Sequence, residues 1–216
     1  MGDWDDRLAR AQGRYADGLA RLPADPAERQ RQLTRTGNAA GATALSLLML
    51  GRGEESGEWF RCAAERYRES WDGAPPESWG RPIGALKSRL LAGDWVGAEA
   101  DARWALEAGA GASDSPIGRY AAALAHGVLG EWTAVRIHAD RARTHETFPD
   151  EVADALVSIA AKDVTGYVKA VGDVLESFET REEYLEDIPV ADTVLVLQAL
   201  AGRRGLSAEL DSELLP

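Results

Sequence analysis

Apolar residues recur at helical spacing along nearly the whole chain, and no stretch shows the period-two alternation of a half-buried strand. Trp4 to Leu22 reads as an amphipathic helix with Leu8, Ala11, Tyr15, Leu19 and Leu22 on one face. Pro26 to Leu33 begins the next, with Asp25 as its N-cap. Near the C-terminus, Thr180 and Glu183 form a capping-box pattern that predicts a short helix from Arg181 toward Asp187. A last apolar helix is predicted from Pro189, carrying Val194, Leu195, Leu197, Leu200 and Ala201 and ending near Gly202 to Gly205. The expectation is an all-α chain of about ten helices.

Between these ends the pattern repeats. Leu91-Ala92-Gly93-Asp94-Trp95 is followed by Ala98, Ala102 and Ala105, and Leu129-Gly130-Glu131-Trp132 by Val135, Ala139 and Ala142. Each matched pair is 37 residues apart (130 minus 93). An earlier copy runs through Leu50-Gly51-Arg52-Gly53-Glu54-Glu55-Ser56 to Phe60 and Ala63, 42 residues before the second (93 minus 51). A fourth, Ala161-Lys162-Asp163-Val164 with Tyr167, Val171 and Val174, lies 32 residues after the third (162 minus 130) and puts Lys162 where the others have glycine. A glycine at this point supplies the left-handed backbone that ends a helix, and small residues afterwards allow close approach of a second helix. Pro82, Pro116, Pro149 and Pro189 fall where the first helix of a pair would begin; proline is tolerated there because its missing N–H has no intrahelical partner. Ser115 stands before Pro116 as a plausible N-cap.

These residues resemble tetratricopeptide repeats, in which a helix ends in Leu-Gly, acidic residues follow, and alanines recur at helical spacing. The closest match is Leu50 to Ser56 with Trp59, Phe60 and Ala63; the resemblance spans roughly residues 36 to 175, without the usual proline after several second helices. It implies antiparallel helix pairs stacked as a right-handed solenoid: a single helical-repeat domain over 1–216, with N-terminal capping helices in 1–35, four degenerate repeats in 36–178 and C-terminal capping helices in 179–216. It also implies binding of a protein or peptide on the concave face lined by first helices. On that basis Asn38, Trp79, Arg81, Lys87, Arg119 and Tyr120 are the candidate partner-binding residues.

Charge narrows the partners. The 216 residues carry 36 acidic against 24 basic side chains, a formal charge of -12, which disfavours a nucleic-acid partner. Lys87, Lys162 and Lys169 are the only lysines, leaving 21 arginines (24 minus 3). That bias, with abundant Ala, Gly and Asp, resembles proteins of high-GC genomes, including salt-loving organisms, and surface carboxylate suits a high-salt cytoplasm. Cys62 is the only cysteine, which excludes an intrachain disulfide and a multi-cysteine zinc site and favours a reducing compartment. The acidic N-terminus lacks the apolar stretch of a signal peptide, and the longest apolar run, around Ala44 to Leu50, is too short to span a bilayer. The expectation is a cytoplasmic protein with no membrane partner.

No catalytic constellation emerges. His126, His138 and His145 lack an i, i+4 pair or a His-Glu-x-x-His motif, so no metal is assigned. Gly51-Arg52-Gly53 with Ser56-Gly57 superficially matches a dinucleotide-binding loop but follows a helix rather than a strand. Gly109 to Ser113 lacks the Gly-Lys-Ser/Thr ending of a phosphate loop and reads as a link between repeats. Cys62, among Phe60, Ala63 and Ala64, reads as a small core residue, and Glu179, Glu182, Glu183, Glu186 and Asp187 as a solvated helix face. Trp95 and Trp132, at equivalent repeat positions, read as core wedges between helices; Trp59 and Trp104 read as packing residues on second helices.

The leading expectation is therefore a non-enzymatic protein- or peptide-binding scaffold that uses no cofactor. The alternatives are an immunity-type protein neutralising a basic toxin, suggested by the acidic all-α chain and a C-terminus weakly similar to some such proteins, and an enzyme of unrecognised type. Pairing with another copy through the apolar terminal helix is left open.

Overall fold

The computed structural model describes residues 2–216. Among them are ten α-helices and no strand: α1 Gly2–Ala20, α2 Pro26–Met49, α3 Gly53–Glu69, α4 Gly80–Leu91, α5 Trp95–Glu107, α6 Pro116–Leu129, α7 Trp132–Arg143, α8 Asp150–Ala161, α9 Val164–Glu179 and α10 Asp192–Gly202. None of these helices is long and apolar enough to cross a membrane.

Local chemistry explains several starts. Pro26 opens α2 while the Asp25 carboxylate accepts from the Glu28 backbone N–H at 2.9 Å; Pro116 opens α6 while the Ser115 hydroxyl accepts from Gly118 N–H at 3.1 Å. Asp163 does the same for α9, accepting from Gly166 N–H at 3.0 Å. Each cap satisfies a donor that the first helical turn leaves unpaired.

The C-terminal ends of α2, α4 and α6 share one device. Gly51, Gly93 and Gly130 have φ of 72°, 65° and 77°, so all three occupy the left-handed region. At each, the glycine N–H returns to the carbonyl three residues back and the next N–H returns five back: Arg52 to Leu47 at 2.9 Å, Asp94 to Arg89 at 2.9 Å, Glu131 to His126 at 2.9 Å. This is a Schellman cap, which satisfies the last carbonyls and turns the chain at once into the following helix. Asp163 N–H returns to Ser158 at 2.9 Å by the same scheme, with Lys162 held at φ 57°. Gly205, at φ 71°, closes α10 likewise through Leu206 N–H to Ala201 at 3.0 Å, but no helix follows it among the described residues.

Lys162 thus adopts a conformation that costs an L-residue on the order of 1 kcal/mol, partly offset by the favourable interaction of its charge with a helix C-terminus. Lys162→Gly is expected to stabilise the fold by about 0.5–1 kcal/mol. An unchanged or lowered urea midpoint would contradict this.

The backbone groups into two compact units. The first comprises residues 1–94 with 182–190 and 213–216; the second comprises 95–181 and 191–212. In the first, α1 packs on α2, α2 on α3 and α3 on α4, and the turn at Leu185–Asp187 packs against α2. α1 approaches α2 closely where Gly18 faces Thr36: a Cβ at Gly18 would sit 2.5 Å from Thr36 Cγ2. In the second unit α5 packs on α6, α6 on α7, α7 on α8 and α8 on α9, with α10 against α8 and α9. Its core is built from Ala121 to Ala125 and Val128 of α6, Leu156 and Ile159 of α8, Tyr167 and Val171 of α9, and Leu197 and Leu200 of α10, all buried.

Several boundaries depart from the sequence reading. α2 runs unbroken for 24 residues, so the division at 35/36 falls inside one helix. Pro82 lies in the first turn of α4 rather than at its start, and α10 begins at Asp192, past Pro189. The expected helix from Arg181 to Asp187 is replaced by one 3-10 turn at Leu185–Asp187 with Glu186 at φ 57° and Asp187 at 61°. Thr180 does not cap that segment: its hydroxyl donates back to Glu176 O at 3.0 Å and it ends α9.

Candidate functional site

Two clefts flank α2 in the first unit. One, of about 390 Å³, lies between the start of α2 and the end of α3 and is lined by Arg29, Gln30, Glu69 and Asp72 among others. The other, of about 350 Å³, runs between α1 and α2 and gathers Arg14, Asp17, Arg21, Gln32 and Arg35, with Glu186. Arg14 donates to Glu186 Oε2 at 2.8 Å and to Asp187 Oδ2 at 3.4 Å. Bonding to Glu186 raises the Arg14 pKa above its ordinary value, outweighing the effect of burial. Arg7 donates to the Asp187 backbone carbonyl, so two arginines of α1 hold the acidic turn. Arg21 pairs with Asp17 at 3.1 Å, one helical turn away, and Arg35 donates to Gln32 Oε1 at 3.5 Å.

The six partner-binding candidates divide between the units. In the first, Asn38 of α2 is half-buried and accepts from the Tyr67 hydroxyl at 2.8 Å. Trp79 is 5% exposed beside Trp71, their ring centroids 5.8 Å apart, with its indole N–H unpartnered. Arg81 is half-buried, donates to Ser70 O at 3.0 Å and to Gln30 Oε1, and has its pKa lowered by burial. Lys87 is half-buried on α4. In the second unit Arg119, 8% exposed, donates to Gly111 O at 2.7 Å and pairs with Asp114 at 3.4 Å, thereby holding the Gly109 turn as part of the fold rather than as a flexible link. Tyr120, also 8% exposed, packs on Phe148 at 5.6 Å; burial chiefly, and Asp192, raise its hydroxyl pKa. Trp79, Arg119 and Tyr120 therefore offer little surface, whereas the two clefts beside α2, which the sequence reading did not single out, are lined by accessible charged groups.

The tryptophans after the turns also differ from expectation. Trp95 and Trp132 are half-buried instead of core, and the consecutive arginines that follow α10 cover them: Arg203 lies 4.6 Å from the Trp95 ring and Arg204 4.7 Å from that of Trp132. The same guanidinium groups cap carbonyls, Arg203 that of Val128 at 3.0 Å and Arg204 that of Ala160 at 2.9 Å. A planar guanidinium can stack and donate at once, which lysine cannot reproduce.

His126 and His138 stack in the second unit with centroids 5.1 Å apart and planes 11° from parallel. His126 Nδ1 lies 2.6 Å from Glu131 Oε2, whereas the buried His138 Nδ1 has no partner. Cys62 is half-buried, its Sγ 2.9 Å from the Tyr15 hydroxyl, whose pKa rises to about 12 through burial and that bond. Among the described residues no group of three or more His, Cys, Asp or Glu side chains is placed to hold a metal ion. Compared with protein-family models, curated proteins and solved structures, the chain matches none.

Proposed function

We propose that the chain is a non-enzymatic scaffold of stacked helix pairs, tetratricopeptide-like and antiparallel, that binds a protein or peptide segment. The observation that supports this most is the recurrence of one helix–Schellman cap–helix joint at Gly51, Gly93, Gly130 and Lys162, with each helix pair packed together at three of these joints, α2 on α3, α6 on α7 and α8 on α9. Units of this kind bury their apolar faces against neighbours and leave extended polar surface for recognition. The cleft between α1 and α2, lined by Arg14, Arg21, Arg35 and Gln32 together with Asp17 and Glu186, is the surface best suited to a segment of extended chain.

Selection of linear peptides from a random displayed library against the folded protein tests this reading. Enrichment of one motif that binds in solution with micromolar affinity is expected; a folded protein that enriches no linear motif overturns it.

A second reading, a neutralising partner for a basic toxin, draws support from the formal charge of -12. A basic partner would associate faster at low salt, because opposite net charges steer the encounter. Association rates with basic proteins that do not depend on ionic strength would remove that support.

A further inference from the structure

We propose that the α1–α2 cleft is a receptor for an acidic peptide segment, and that the chain's own Glu186–Asp187 turn occupies part of it as an internal competitor. This rests on the peptide-scaffold reading and specifies its site and ligand chemistry.

Charge is the first reason. In a chain with 36 acidic and 24 basic residues, this cleft gathers three arginines, Arg14, Arg21 and Arg35, against two carboxylates, Asp17 and Glu186. Arg14 lies on α1 and Arg21, seven residues on (21 minus 14), directly follows its last residue, Ala20, and both line the cleft. Among the described residues Arg35 makes no ion pair and reaches only an amide oxygen, that of Gln32 at 3.5 Å. Its guanidinium is therefore available to an incoming carboxylate, which it can hold through two parallel hydrogen bonds.

The present occupant is the second reason. Glu186 comes from far along the chain and delivers a carboxylate to Arg14 at 2.8 Å, while Asp187 binds the same guanidinium at 3.4 Å. The contact demonstrates the ligand chemistry that the cleft accepts. The turn also carries strain and exposed side chains: Glu186 and Asp187 are successive non-glycine residues in the left-handed region, Asp187 is 79% exposed at its side chain, and Leu185 beside them is 69% exposed. A residue held in that region stores strain that is relieved on release. A foreign acidic segment whose carboxylates reach Arg35 as well as Arg14 can displace a turn whose carboxylates reach Arg14 alone and which Arg7 holds only through the Asp187 backbone carbonyl.

The probe is the blocked hexapeptide Glu-Glu-Tyr-Leu-Glu-Asp, the sequence of residues 182–187, labelled for fluorescence anisotropy, with its all-amide counterpart as control. The full-length Glu186→Gln/Asp187→Asn variant is expected to bind it at least tenfold more tightly than the unaltered chain. Adding Arg14→Gln and Arg35→Gln is expected to lower that affinity at least tenfold, with circular dichroism confirming an intact helical fold. The amide peptide is expected not to bind. Failure of the Glu186/Asp187 variant to bind the acidic peptide, or binding indifferent to the two arginine substitutions, overturns the proposal. Library-selected peptides that bind irrespective of Arg14 and Arg35 would sink this cleft while leaving the scaffold reading standing. Self-association abolished by the arginine substitutions would place a second copy's acidic turn there and equally overturn it.

Discussion

Gly84→Ala is expected to destabilise the protein by about 2 kcal/mol, although alanine is the better helix former by about 1 kcal/mol. The reason is Tyr67. A Cβ at Gly84 would stand 2.7 Å from Tyr67 Cε2 and 2.8 Å from Cδ2 and Cζ, closer than non-bonded Cβ contacts essentially ever come. The ring cannot slide away, because a Cβ at Gly37 on α2 would already lie 3.1 Å from its opposite edge and its hydroxyl is tied to Asn38 at 2.8 Å. Tyr67 of α3 is thus held between a glycine of α2 and a glycine of α4; α4 approaches it more closely than any side chain would permit, and α2 leaves room only for a tight contact. Urea unfolding of four proteins checks the account: the unaltered chain, Gly84→Ala, Tyr67→Leu and the double variant. In the Tyr67→Leu background the ring is gone, so Gly84→Ala is expected to become neutral or mildly stabilising, with coupling of about 2 kcal/mol between the sites. Equal effects of Gly84→Ala in the two backgrounds would show that the ring is not what the glycine accommodates.

That clamp also marks the limit of what could be read from the chain alone. The joints at Gly51, Gly93 and Gly130 were legible because a left-handed residue followed directly by a helix start is a local demand that glycine meets, and even the exceptional Lys162 keeps the geometry by virtue of the surrounding pattern. Tyr67 between Gly37 and Gly84 was not, since each glycine looks like an ordinary weak point in a helix until the third helix is present. The tryptophans show the same division. Their equivalence was visible in the repeat, but the arginines that cover Trp95 and Trp132 arrive from just after α10, about a hundred and about seventy residues later. The acidic run near Glu186 was read as a solvated helix face because composition does not disclose that Arg7 and Arg14 will bind it as a turn. The candidate cleft did have one local signal, the seven-residue spacing of Arg14 and Arg21, and that alone does not say which face of α1 remains open.

Acidification is expected to weaken the fold between about pH 6.5 and pH 4, and His138 is expected to account for about 2 kcal/mol of the loss. Its ring is 9% exposed on α7, stacked on His126 of α6, and its Nδ1 has no hydrogen-bond partner. Burial chiefly, then the nearby charges of His126, Arg119 and Arg141, lower its pKa from 6.5 to about 4. The unfolded chain therefore takes up a proton near pH 6.5 while the folded chain resists until about pH 4. Stability is fully present above the unfolded value and is lost as pH falls through that interval. Its neighbours offer the charged ring no compensation: Arg119 and Arg141 add repulsion, and the Glu131 carboxylate bonds to His126 instead. His138→Gln keeps a polar planar group of similar reach without the titration. Denaturant midpoints at pH 7.5 and pH 4.5 for both proteins isolate the contribution, since carboxylates elsewhere titrate alike in each. The variant is expected to lose about 2 kcal/mol less than the unaltered chain over that range. Parallel losses in the two proteins would mean that His138 is charged in the folded state at mildly acidic pH, and that its stack with His126 survives protonation.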